Sequence, residues 1–288
     1  MLRAPPLACD CHIHVFGPHA RYPLDAARKY TPPEARLEDY LKVAAALGTG
    51  RVVLVQPSVY GVDNSCQRDA LLALGDRARG VAVIDDSVSD ARLRALDGDG
   101  FRGTRLNFMR AGELESLERT AARVKELGWH VQLHLPGSMI ADIADRLLAL
   151  PTEFVIDHFG RVDARHGVGQ PAFQALLKLV DSGRCWVKLS APYRIGAAPY
   201  RQTAPFAREL VKRNPGRMVW GTDWPHPDVA AVPEDQGLLD AMLEWVPDEA
   251  TRDRILVDNP GKLYRFPAAG SAKMNVVDHD QSRRPDLR

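Results

Sequence analysis

The chain has 288 residues, 45% hydrophobic and 26% charged, with 38 Lys and Arg against 37 Asp and Glu for a net charge of +1. This is the balance of an ordinary soluble globular protein, and it offers no electrostatic basis for a nucleic-acid or anionic-membrane partner. No apolar run approaches a membrane span, and the opening MLRAPPLACD lacks the apolar core of a secretory signal. Cys9, Cys11, Cys66 and Cys185 are too few for a disulfide framework in a chain of this length. No second pair answers Cys9 and Cys11 as metal ligands. Reduced thiols and a cytoplasmic location are expected.

The first predicted strand, CDCHIHVF from Cys9, is unusual. Alternation expects Asp10, His12 and His14 on one face and Cys11, Ile13 and Val15 on the other. The helical pattern from Leu37 to Leu47 places Leu37, Tyr40, Leu41, Ala44 and Leu47 on one side. Three strands follow: RVVLVQP from Arg51, GVAVI from Gly80 and GTRLNF from Gly103. A helix is predicted over Leu114–Leu127, ending at Gly128, a residue suited to a helix C-terminus. Strand WHVQLHL from Trp129 then leads to helix Met139–Leu150, and EFVIDHF from Glu153 to helix Pro171–Val180. CWVKLS from Cys185 leads to helix Pro205–Arg213, and MVWGTD from Met218 to helix Gly237–Trp245. The bond Trp224–Pro225 is expected trans.

Strands alternating with helices call for a parallel sheet covered by helices, so the fold class is α/β. Eight such units over about 250 residues match a (β/α)8 TIM barrel. An open doubly wound sheet is the rival, but neither GxGxxG nor GxxxxGK[ST] follows the first strand. No composition break divides the chain, so residues 1–266 form one domain. The tail 267–288 loses all periodicity and is expected to be a mobile end.

In such a barrel the chemistry sits where the strands end. Those ends carry His12 and His14, Ser58, Arg105 with Asn107, His134, His158, Lys188 with Ser190, and Asp223. Tyr193 and Arg194 come just beyond the seventh strand. One such histidine is commonly a satisfied core residue, and one arginine a solvated surface residue. Four histidines and a carboxylate converging on one mouth are poorly explained by packing, because buried ionisable groups are costly unless paired. Arg105, Arg110, Arg161 and Arg194 fall at or just after strand ends and suit a receptor for carboxylate or another oxyanion. Tyr30, Ser58 and Tyr60 are expected to add hydroxyl contacts, and the non-periodic segment Gly17–Pro33 to form a flap. Asp10, deepest on its strand, is expected to orient a histidine from behind.

CDCHIHVFGP, VLVQPS, RGTRLNF, VIDHFGR, WVKLSAPYR and WGTDWPHP, in that order, resemble the amidohydrolase superfamily. Within it the chain is similar to the amidohydrolase-2 group that includes the 2-pyrone-4,6-dicarboxylate lactonases, from about Cys9 to Phe266. The resemblance implies a barrel hydrolase that opens a carboxylated lactone in aromatic-compound catabolism. Position by position it implies Asp223 as the general base, with His12, His14 and His158 polarising the lactone carbonyl. It implies Tyr30, Ser58, Arg105, Arg161, Arg194 and His226 in substrate binding, to which the strand-end pattern adds Arg110. The chain departs from that pattern twice. Ala111 stands where the lactonases carry an arginine, with Arg110 one position early, and His134 replaces a tyrosine. The lactonases need no metal, whereas superfamily members with HxH, a strand-five histidine and the last-strand aspartate hold a divalent cation. Two chemistries therefore stand: metal-free hydrolysis, or Zn²⁺ or Mn²⁺ on His12, His14, His134 and Asp223. Decarboxylation of an unsaturated acid, or hydrolysis of a sugar or sulfonated lactone, are the alternatives. The expected partner is a small anionic lactone.

Overall fold

The computed structural model describes residues 1–109, 113–229 and 231–267. Eight strands pair in chain order, all parallel: β1 (Cys9–Ile13), β2 (Arg51–Val55), β3 (Ala78–Ala82), β4 (Phe101–Asn107), β5 (His130–His134), β6 (Phe154–Ile156), β7 (Cys185–Ser190) and β8 (Met218–Gly221). The sheet closes between its first and last strands just beyond the end of β8. There the Asp223 N–H donates to the His12 carbonyl at 2.9 Å and the His14 N–H to the Trp224 carbonyl at 2.8 Å. This is the (β/α)8 barrel that the alternation predicts. Trp224–Pro225 is cis, against expectation.

The covering helices are α1 (Leu37–Leu47), α2 (Ser65–Leu74), α3 (Asp90–Asp99), α4 (Leu117–Val124), α5 (Ile140–Ala149), α6 (Pro171–Asp181), α7 (Ala204–Arg213) and α8 (Asp235–Trp245). The helix expected over Leu114–Leu127 is three pieces, with tighter 3-10 turns at Glu113–Ser116 and Lys125–Leu127 flanking α4, and Gly128 takes the left-handed conformation. Helices α2 and α3 were not legible as apolar patterns. Only Leu93 and Leu96 of α3 are buried, and the Ser89 hydroxyl that caps it at the Arg92 N–H is the clearer signal. Among the described residues no helix is long and apolar enough to cross a membrane. The expected mobile tail lies, apart from residue 267, outside the described residues.

Strict alternation fails in β1. The register against β2 shifts between Asp10 and Ile13, a β-bulge that turns successive residues to the same side. Cys9 and Cys11 face the barrel interior, packed with Val53, Val55, Val81, Val155, Trp186 and Val219, where helix-facing positions were expected for Cys11. His12 also faces inward, whereas Ile13 joins the outer layer between strands and helices. Asp10 faces the helices. Its carboxylate accepts from the Tyr40 hydroxyl at 3.3 Å, the Thr222 hydroxyl at 2.6 Å and the Thr222 N–H at 2.9 Å, stapling β1 to the segment after β8. It touches no imidazole, which corrects the expectation that it orients one. Burial pushes its pKa up to about 6. Gly221 is required at this seam, because a Cβ there would lie 2.8 Å from the His12 nitrogen.

The floor of the barrel is closed by the segment that holds Leu263, Tyr264 and Phe266. These residues join the inner cluster, with the Arg51 and Arg79 guanidinium groups 5.1 and 4.9 Å from the Phe266 ring centre. This plug leaves the opposite end as the open mouth.

Candidate active site

Asp223 follows β8 in a left-handed backbone conformation, φ +70°. At the end of β6, His158, Phe159, Gly160 and Arg161 run left-handed in succession, φ +53°, +55°, +68° and +49°. Each non-glycine residue so held costs about 1–2 kcal/mol, and such costs concentrate at functional sites. Phe159 anchors the turn, fully buried with its ring edge-on to Trp245 at 5.2 Å. The result is that His158 and Arg161 both face the mouth.

Three imidazoles surround one carboxylate oxygen. Asp223 Oδ1 lies 3.5 Å from His12 Nε2, 3.7 Å from His14 Nε2 and 3.8 Å from His158 Nε2, all essentially without solvent exposure. Burial, then the Lys188 charge, lowers the pKa of His12 to about 4. Burial, then His12, lowers that of His14 to about 3. Burial also holds His158 well below the usual range. These rings are neutral at pH 7. Burial opposes ionisation of Asp223, but His158 and the Arg194 guanidinium outweigh it and keep the carboxyl well below its ordinary value.

The far side of each ring fixes its role. His14 Nδ1 donates to the Val55 carbonyl at 2.7 Å, so its Nε2 carries a lone pair. His158 Nδ1 meets the Ser190 hydroxyl at 2.9 Å, which can donate and leave hydrogen on Nε2. His12 Nδ1 sits 3.3 Å from Lys188 Nζ and 3.4 Å from Asp157 Oδ1, while its buried Nε2 has no hydrogen-bond partner. Lys188 is wholly buried below the site, donating to the Cys11 carbonyl and to Gln132 Oε1, both at 2.8 Å. Asp157 was not anticipated, although it directly precedes His158 in VIDHF. It pairs with Arg105 at 3.2 Å and lies 3.7 Å from Lys188. Burial opposes its ionisation, but His12, Lys188 and Arg105 hold its pKa well below normal.

Above this floor opens a cavity of about 350 Å³, a size suited to a small ligand. Of the expected binding residues, Tyr30, Ser58, Arg105, Arg161 and Arg194 line it, as do His14, His134, His158 and Asp223. Lys29, on the segment expected to form a flap, lines it too and was missed. A lysine on a non-periodic segment gave no signal in the sequence. Arg110 lies outside the described residues. Tyr60 does not line the cavity: its hydroxyl accepts from the Gly17 N–H at 2.8 Å. His226, expected to touch substrate, does not line it either. It stands behind Asp223, with Nε2 2.9 Å from Asp235 Oδ1 and Nδ1 3.2 Å from the Tyr193 hydroxyl.

The arginines differ in their partners. Arg105 faces Asp157, and Arg194 donates to Asp223 Oδ2 from Nε at 3.2 Å and from its terminal nitrogen at 3.0 Å. Among the described residues Arg161 has no carboxylate within salt-bridge distance, and it donates to His134 Nε2 at 3.0 Å. It is the arginine of the three best placed to receive an anion, beside Lys29, whose bond is to the Met109 carbonyl.

A divalent cation would find neutral imidazole and carboxylate donors here, the set that zinc and manganese accept. The donors within mutual reach are His12, His158 and Asp223. The unpartnered His12 Nε2 and the facing lone pair of His14 fit such an ion. His134, expected as a ligand, is outside that group: its Nε2 is engaged by Arg161, its buried Nδ1 has no partner, and its ring centre lies 5.6 Å from that of His158.

The sequence model of the amidohydrolase family matches residues 9–266. A 4-sulfomuconolactone hydrolase of Hydrogenophaga intermedia is 40% identical over 277 residues, 93% of this chain and 91% of that one. A 2-pyrone-4,6-dicarboxylate hydrolase of Comamonas testosteroni is 37% identical over 278 residues, 91% of each chain. The crystal structure of an Agrobacterium tumefaciens protein in its apo form superposes with a TM-score of 0.84 at 31% identity, covering 92% of this chain and 98% of that one. A family match over residues 9–266 and relatives alike over nine-tenths of the chain agree, and the chain belongs to the amidohydrolase family.

Proposed function

We propose that the protein hydrolyses an anionic lactone, opening its ring by attack of water on the ring carbonyl. The observation that carries this reading is a single carboxylate oxygen, Asp223 Oδ1, within 3.8 Å of three neutral imidazoles beneath a cavity walled by Arg105, Arg161 and Arg194. Two relatives are named for a sulfonated lactone and a pyrone dicarboxylate, and both names describe ring esters bearing anions.

His14 Nε2 and Asp223 Oδ1 are both acceptors, 3.7 Å apart. A water between them donates one hydrogen to each, which orients its lone pair toward the cavity. Asp223 takes the proton as water adds to the carbonyl. The developing oxyanion is met by Nε2–H of His158, whose other nitrogen accepts from Ser190, while His12, which does not line the cavity, supports Asp223 from below. Asp223 then returns its proton to the departing ring oxygen, so the water is consumed and an acid and an alcohol or enol are formed. A weak carboxylate base suffices because the water and the oxyanion donor are already positioned. Zn²⁺ or Mn²⁺ held by His12, His158 and Asp223, with His14 beside them, would supply Lewis acidity and a more acidic water.

Arg161 receives the anionic substituent in a cavity that Lys29, Tyr30 and Ser58 also line. The test is turnover on a lactone panel that includes 2-pyrone-4,6-dicarboxylate and 4-sulfomuconolactone, read by ultraviolet absorbance and by acid released. Ring opening without CO2, abolished in Asp223→Asn, is expected. An undiminished Asp223→Asn rate, release of CO2, or inertness toward every lactone would overturn the reading.

A further inference from the structure

Asp223 has two oxygens, and the chemistry above uses one. The other, Oδ2, accepts from the Tyr193 hydroxyl at 2.7 Å and from Arg194 at 3.0 and 3.2 Å. Those two anchors are not equivalent. Arg194 lines the cavity and carries a charge, so an anion bound there would compete with Asp223 for it. Tyr193 is uncharged and does not line that cavity. Its hydroxyl is tied on the other side to His226 Nδ1 at 3.2 Å, and His226 Nε2 reaches Asp235 Oδ1 at 2.9 Å. Asp235 is the first residue of α8, with 22% of its side chain exposed, whereas the His226 side chain is 1% exposed.

We infer that Tyr193, His226 and Asp235 form a positioning chain that holds Asp223 Oδ2 in place when an anionic substrate draws on Arg194. Resting on the lactonase reading above, this assigns Tyr193 and His226 to the base rather than to the substrate. With Asp235 accepting from Nε2–H, His226 presents an unprotonated Nδ1 to the tyrosine. The single hydroxyl hydrogen then lies between two acceptors and takes the shorter bond, to Asp223. The segment that delivers these groups is locked as well: the His226 N–H donates to the Asp223 carbonyl at 2.7 Å. Without the chain, the carboxylate is free to rotate about its side-chain bond once Arg194 turns to substrate, and Oδ1 leaves the water. The loss falls on kcat, because none of the three residues lines the cavity that binds the substrate.

The experiment is a double-mutant cycle on the lactone that the wild type opens best. Tyr193→Phe is expected to lower kcat about 10–100-fold, the usual cost of losing a group that orients a catalytic residue from behind, with KM within about twofold. Asp235→Asn is expected to lower kcat several-fold, and Tyr193→Phe with Asp235→Asn to be no worse than Tyr193→Phe alone, since members of one chain are not additive. A kcat for Tyr193→Phe within twofold of wild type, or additive losses in the double variant, would overturn the chain. Should Tyr193→Phe fail to fold, judged by its thermal melt, Asp235→Asn decides alone, and an unchanged kcat there overturns the proposal. Inertness of the wild type toward the whole panel defeats the lactonase reading itself, and the positioning chain with it.

Discussion

Lowering the pH from 7 to 5 is expected to remove at least about 4 kcal/mol from the folding stability of the metal-free protein, the sum over His12, His14, His130 and Asp10, to which the buried His134 and His158 add in the same direction. Burial sets the pKa of His12 to about 4, and those of His14 and His130 to about 3. The unfolded chain protonates the same rings near 6.5. Below that value the unfolded state binds protons that the folded state refuses, so stability falls as pH falls, down to each folded pKa. At pH 5, about one and a half pH units below the free value, each ring costs about 2 kcal/mol. Asp10 works the other way. Its folded pKa of about 6 exceeds the unfolded 3.8, so between those values the folded state gains a proton and about 1.4 kcal/mol at pH 5. A small part of the histidine term is already spent at pH 7. Against a typical total of about 5–15 kcal/mol, the net loss is large. Urea unfolding at pH 7, 6 and 5 measures it: with an m-value of about 3 kcal/mol/M, the midpoint falls by at least about 1.3 M. A midpoint that holds steady over this range would refute the claim that these rings are folded neutral.

Three further outcomes test other parts of the site. Replacing Arg161, which has no carboxylate within salt-bridge distance among the described residues, by methionine is expected to raise KM for anionic lactones roughly 10–100-fold while changing kcat little, from a charge-assisted bond worth about 1.5–3 kcal/mol; equal losses on an uncharged lactone would refute the assignment. Lys188→Met removes two 2.8 Å bonds from a buried network and leaves Asp157 with only Arg105 as cationic partner. A loss of about 3 kcal/mol and a Tm lower by about 6–12 °C are expected, and an unmoved calorimetric melt counts against it. Zn²⁺ titrated calorimetrically into chelator-stripped protein is expected to bind at least tenfold more weakly to His158→Ala than to His134→Ala, and the reverse order would restore His134 as a ligand.

The sequence made the barrel legible because its strands are short apolar runs alternating with helical patterns, and barrel order then placed the mouth residues. What it hid has physical causes. Helix α3 buries only Leu93 and Leu96, too few to show a helical period, and the buried stripe of α2 includes the polar Gln67 among Cys66, Ala70, Leu71 and Leu74. The inward turn of Cys11 depends on a bulge, whereas alternation assumes a regular strand. Asp157 and Lys188 were visible as residues but not as a pair, because they meet only when β6 and β7 are side by side with Lys188 at their centre. His226 was assigned by family position to the substrate, and only the fold shows Tyr193 between it and Asp223. The grouping of His158 rather than His134 with the other candidate ligands likewise follows from the left-handed turn after β6 and from the bond between Arg161 and His134.

The bulge in β1 also bears on how such sites can be transplanted. One displaced residue lets a single strand supply apolar side chains to the barrel floor, a carboxylate to the seam outside, and two imidazoles to the mouth. A designer who copies the motif HIH onto a regular strand of another barrel, without the offset at Cys11, reproduces the histidines but not the partition. Either the floor loses Cys9 and Cys11 or the imidazoles point into the helices. The portable unit is therefore CDCHIH together with Gly221, whose missing side chain lets the neighbouring segment close against the irregular strand.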